Sequence, residues 1–151
     1  MRRLRRVIIV FGTVAALILP LAPSAQAGTF CRTFWPLNSV WGQQAIESWQ
    51  CVTHTSDRGY RGYTAFWPDH GNFQIAGVFH VELKRNGVHV VNSDDWVNPV
   101  APGCRPSQNC TPFEINTPWA HSGGGNYCSI LWDQQTVNTW KEVQRYCHDL
   151  A

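Results

Sequence analysis

The sequence predicts an all-β domain, a sandwich or a partly closed barrel of short antiparallel strands, on three observations. Apolar and polar side chains alternate from Phe73 to Lys84, which is the period of a strand with one buried face. Asn86-Gly87 follows, and both residues accept the positive φ angles of a two-residue hairpin turn. The six cysteines are an even number and fit three disulfides of the kind that staple small extracellular domains.

The N-terminus comes first. Arg2, Arg3, Arg5 and Arg6 precede an apolar run from Val7 to Leu21, and Ala25-Gln26-Ala27 closes the segment. This three-part pattern predicts a cleavable signal peptide over 1–27, cut before Gly28. The run is shorter than the roughly 20 apolar residues of a spanning helix, and Gly12 and Pro20 interrupt it. The expected product is a single secreted β-rich domain, 28–151, with no membrane attachment after cleavage. Loss of the leader arginines leaves eight basic against ten acidic side chains. Nucleic acid, which is bound by basic surfaces, is therefore not an expected partner.

Ala45–His54 alternates around Trp49 and Cys51 and reads as a strand. Tyr60–Trp67 is rich in aromatic residues and stops at the turn cluster Pro68-Asp69-His70-Gly71. The hairpin return is expected at Val88–Asn92. A two-residue loop sets Arg85 opposite Val88, Lys84 opposite His89, Glu82 opposite Val91 and His80 opposite Ser93. His80, Glu82, Lys84 and His89 then share a solvated outward face, with Phe79, Val81, Leu83, Val88 and Val90 inward. Val100–Thr111 reads as a loop pinned by cysteines, and Ser122–Asn126 as a flexible one. Phe113–Asn116 and Tyr127–Asp133 are short strands.

Thr139–Leu150 admits two readings. Thr139 and Glu142 fit a helix capping box, with Trp140, Val143, Cys147 and Leu150 along one helical face. A strand pairing back onto Tyr127–Asp133 instead sets Cys147 beside Cys128, and we favour it over a short C-terminal helix. Sequence does not choose among the pairings that six cysteines allow. Pairing of neighbours, Cys31–Cys51, Cys104–Cys110 and Cys128–Cys147, is the working arrangement.

The signal segment, the hairpin and the pattern Tyr127-Cys128, Trp132, Trp140, Cys147 together resemble the small secreted, disulfide-stapled β-proteins of filamentous high-GC Gram-positive bacteria. The resemblance lies in general layout. It implies the stapled β fold and no particular activity.

Function rests on side chains that this small core does not need. The chain has eight tryptophans, more large indoles than one such core hides easily. Those near turns, Trp35, Trp67, Trp96 and Trp119, are candidates for stacking on sugars, and the expected function is a non-catalytic ligand-binding module for a glycan or cell-wall surface. A second reading is a protease inhibitor or protein-interaction factor that presents Arg105 on the short loop between Cys104 and Cys110, rigid and so preorganised to bind a secreted protein. A third is a small hydrolase. His54 near Asp57, Asp69 beside His70, Asp94 beside Asp95 and His121 beside Ser122 supply acid–base groups, with His121 and His70 the first to consider because loops carry sites. None of the nucleophile-elbow, zinc-protease, phosphate-loop or dinucleotide motifs occurs, so no catalytic residue and no cofactor is assigned. His80, Glu82 and His89 approach metal-ligand spacing, but Lys84 lies among them and no metal is expected.

Overall fold

The computed structural model describes residues 27–68, 73–101, 103 and 110–150. Among these the chain forms strands and no helix. The first sheet has the order β1 (Gly28–Phe34), β4 (Ile46–Thr55), β5 (Gly59–Pro68), β11 (Phe113–Asn116). The second has the order β13 (Thr139–Leu150), β12 (Gly125–Thr136), β7 (Val78–Arg85), β8 (Val88–Asn92), with β9 (Trp96–Val97) also beside β7. Two small pairs complete the set: β2 (Leu37–Ser39) with β3 (Gly42–Gln44), and β6 (Phe73–Gln74) with β10 (Val100–Ala101). All pairings within these sheets are antiparallel. Each sheet keeps two open edges, so neither closes into the barrel that the sequence left open.

The inner faces of the sheets meet in two apolar clusters. Ile46, Phe66 and Ile115 of the first sheet pack with Phe79, Val81 and Leu131 of the second. Val52 and Tyr60 pack with Leu83, Tyr127 and Leu150, and the rings of Tyr60 and Tyr127 stack at 4.0 Å. The layers are also joined by buried polar side chains. Gln50 Nε2 donates to Ser129 Oγ at 2.6 Å, and Gln50 Oε1 accepts from Thr64 Oγ1 at 2.6 Å. Gln144 Nε2 donates to Ser48 Oγ at 2.6 Å. A buried amide is costly unless it is bonded, so these contacts fix which residues of the two layers face one another.

The Asn86-Gly87 turn forms as expected, with φ of 50° and 80°. Arg85 faces Val88 and Lys84 faces His89, but a bulge follows. Leu83 then pairs with Val91 and Glu82 with Asn92, in place of the expected Glu82–Val91 pair. Ser93 bonds Val81 through its backbone N–H (2.8 Å) and its hydroxyl (2.9 Å), so it does not sit opposite His80. Val88, expected inward, lies at the hairpin tip and is 68% exposed, because the first layer does not cover it there.

Thr139–Leu150 is a strand throughout. It pairs with β12 along its length, with register shifts between Leu131 and Trp132 and between Gln134 and Thr136. Cys128 faces Cys147 and is bonded to it, and Cys31 likewise bonds Cys51 on the neighbouring strand. Two of the three expected disulfides thus lie among the described residues. Cys104, and with it the Cys104–Cys110 bridge, lies outside them. Disulfides persist in oxidising compartments, so the chain is built for one. The bridges close 20 and 19 residues of sequence, and each contributes about 3 kcal/mol by restricting the unfolded chain.

Candidate functional site

The four tryptophans expected to form a platform have different surroundings. Trp35 follows β1 at a cis Trp35-Pro36 bond and is half exposed. Trp67 is only 6% exposed, packed on Trp49 at 4.9 Å, and offers no open ring face. Trp96 lies edge-on to Phe113 at 5.3 Å. Trp119 sits beneath the Arg61 guanidinium at 4.9 Å. Arg105, Asp69 and His70 lie outside the described residues.

The most exposed indole is Trp41, at 71%. It sits at the turn between β2 and β3, where Gly42 takes a φ of 99°. The hairpin is held at several points. Ser39 Oγ accepts from Trp41 N–H (3.1 Å) and Gln44 Nε2 (2.8 Å). The Gln44 carboxamide also binds the backbone of Ala76 both ways, accepting from its N–H at 2.9 Å and donating to its carbonyl at 3.0 Å. Val40 N–H donates to Asp133 Oδ2 at 2.7 Å. Asp133 is fully buried, and burial pushes its carboxyl above the ordinary carboxylate range, opposed by the N–H of Val40.

Beside Trp41 opens a cleft of about 260 Å³. Gly77, Val78, Val97 and Asn98 line one side, and Gln134, Gln135, Thr136 and Val137 of the β12–β13 hairpin line the other. Asn98 adopts a φ of 42°, uncommon for a residue with a side chain. It is fixed by two bonds to Gly77: its Oδ1 accepts Gly77 N–H at 3.0 Å, and its own N–H donates to the Gly77 carbonyl at 2.7 Å. Gly77 has a φ of 138°, and a Cβ there would meet the Phe79 ring at 2.7 Å and Asp133 Oδ1 at 2.8 Å. Only glycine fits. The cleft therefore combines an open indole, carboxamides, valines and a rigid backbone, with no charged side chain in its lining.

Of His80, Glu82, Lys84 and His89, all expected on a solvated face, only His89 is exposed, at 54% of its side chain. Glu82 is 8% exposed. Its Oε1 accepts from His89 Nδ1 at 3.0 Å, and its Oε2 accepts from Trp132 Nε1 at 2.9 Å and lies 3.5 Å from Lys84 Nζ. His80 is held between Asp95 (Nδ1 to Oδ1, 3.2 Å) and the Trp140 ring at 4.1 Å. Burial lowers its pKa below the ordinary histidine value, and Asp95 opposes the shift. The reason is in β12 and β13: Trp132 and Trp140 project onto this face and cover it. Among the described residues no group of three or more His, Cys, Asp or Glu side chains stands close enough to hold a metal ion.

The other candidate acid–base groups do not converge. His54 is buried and stacks on Tyr60 at 4.4 Å, while Asp57 is an exposed turn residue paired with Arg58. Asp95 is engaged by His80, and His121 is exposed. A second cleft, of about 320 Å³, is lined by Arg85, Asn86, Val88, Val90 and Ser122. It has no aromatic ring, and Arg85 is already committed to the Gly124 carbonyl at 2.6 Å.

Sequence reasoning passed over Trp41 because three-residue strands carry almost no periodic signal. The Gly after it was the one local hint of a turn. Gln134 and Gln135 gave none, since their role depends on the hairpin that places them opposite Asn98. The chain matches no protein-family model, and no characterised protein or solved structure was found to be similar to it, so the site stands on its own geometry.

Proposed function

We propose that this protein is a secreted, non-catalytic module that binds a glycan in the cleft beside Trp41, on a sandwich-like scaffold of two facing sheets. The observation that carries the reading is an indole with an open face, fixed on a braced hairpin, next to carboxamides with free hydrogen-bonding capacity. Sugars present apolar C–H faces and rings of hydroxyls, so they are bound by flat aromatic surface together with neutral donors and acceptors. A braced site loses little conformational entropy on binding. The disulfides support export to an oxidising space, where polysaccharide surfaces are met.

The test is depletion of the oxidised protein by chitin, cellulose and purified cell wall, with soluble oligosaccharide as competitor. Competable depletion by at least one of the three, lost in Trp41→Ala and kept in Trp35→Ala, is the expected result. Depletion by none overturns the reading.

A further inference from the structure

The hydrogen-bonding inventory of the cleft goes further than a general sugar site. Resting on the glycan reading, we infer that the Trp41 cleft selects a neutral N-acylated amino sugar over a plain hexose or a charged sugar. An acetamido group has three parts: a carbonyl that accepts, an N–H that donates, and a methyl group that is apolar. The cleft holds a free counterpart for each.

Asn98 Oδ1 is occupied by Gly77 N–H, so the side chain presents its Nδ2 donors. Gln134 Nε2 is occupied by the Val137 carbonyl at 3.1 Å, so this side chain presents its Oε1 acceptor. The fold thus leaves Asn98 with more donor than acceptor capacity and Gln134 with more acceptor than donor capacity. They lie on opposite sides of the cleft, and Gln135 adds a carboxamide beside them. The apolar counterpart is Val97 and Val137, which are 68% and 85% exposed, together with Val78, the cross-strand partner of Val97. A hydroxyl in place of the acetamido group could bond the amides but would leave these valines wet. The lost apolar contact weakens binding by about tenfold or more.

Charge is excluded on the same grounds. No Lys, Arg, His, Asp or Glu lines the cleft. A uronate would lose water with no cation to replace it. A protonated sugar amine would likewise find no carboxylate in the lining.

Titration calorimetry with three probes of equal length tests this: the trimer of N-acetylglucosamine, the trimer of glucosamine, and cellotriose. The expected result is binding of the acetylated trimer at least about tenfold tighter than either of the others, with the preference lost in Val137→Asp. That substitution lies at an exposed turn and leaves the core untouched. Equal or tighter binding of cellotriose or of the glucosamine trimer overturns acyl selection and leaves the glycan reading standing. Failure of all three, together with no depletion by any polysaccharide, overturns both.

Discussion

Two regions at the surface of the second sheet use the same kinds of side chain in opposite ways. On its outer face, Trp132 donates its indole N–H to Glu82, and Lys84 lies over the ring at 5.9 Å. The carboxylate of Glu82 is met by three donors. At the Trp41 cleft the indole is open, and Asn98 and Gln134 each keep half of their amide free. The first set of groups is satisfied within the chain and serves stability. The second is held in place and left unsatisfied, which is what a ligand site requires. Titratable groups gathered on one face are therefore a poor guide to function in this molecule, and unspent polar groups on a rigid frame are a better one.

The largest expected effect separates the two regions. Glu82→Ala removes a buried acceptor and leaves Trp132 Nε1 unpaired, and should cost about 3 kcal/mol in urea denaturation. Glycan affinity per folded molecule should stay the same. Loss of affinity in this variant would join the two regions and break the distinction. Gly77→Ala should act on both properties. Its Cβ collides with Phe79 and Asp133 and strains a φ of 138°, costing about 2 kcal/mol, and it displaces Asn98 from the cleft, so binding heat should fall as well.

Trp41→Ala is the mirror of Glu82→Ala. The indole is mostly in water, so stability should move by less than about 0.5 kcal/mol, while affinity falls at least about tenfold, or about 1.4 kcal/mol. A marked drop in melting temperature would mean that Trp41 is structural.

The smallest effect is in pH dependence, where the two regions should differ in sign. His80 has a lowered pKa, so the folded protein resists its protonation. The stability it contributes is present above the ordinary value of 6.5 and is lost as pH falls through the folded value. Asp133 has a raised pKa, so its contribution is present below the ordinary value of 3.8 and is lost as pH rises through the folded value. Relative to the wild type, His80→Gln should lessen the loss of stability in acid. Asp133→Asn should lessen the loss on the alkaline side of the carboxylate range. Parallel pH–stability curves for wild type and variants would remove these assignments.

Much of the scaffold was legible in the chain. The Phe73–Lys84 alternation is long enough for its period to stand out, and Asn86-Gly87 is a turn for reasons internal to two residues. The pairing of Cys128 with Cys147 followed once Thr139–Leu150 was taken as a strand. The bulge between Leu83 and Lys84 was not legible, because bulges arise where a strand must bend to meet another layer. The burial of Glu82 was also hidden. Its cover, Trp132, lies 50 residues further along, and no local pattern links the two.

The sequence by itself determined the β class and the central hairpin, since each follows from short-range periodicity or turn chemistry. It also placed His80, Glu82, Lys84 and His89 on one face. Only the tertiary structure decided that Glu82 on this face is covered and that the Trp41 cleft is open. Exposure is a property of what packs on a residue, and both covers and gaps are made by strands distant in sequence. The valences of Asn98 and Gln134 were settled in the same way: which half of an amide is free depends on which backbone group the fold brings to the other half.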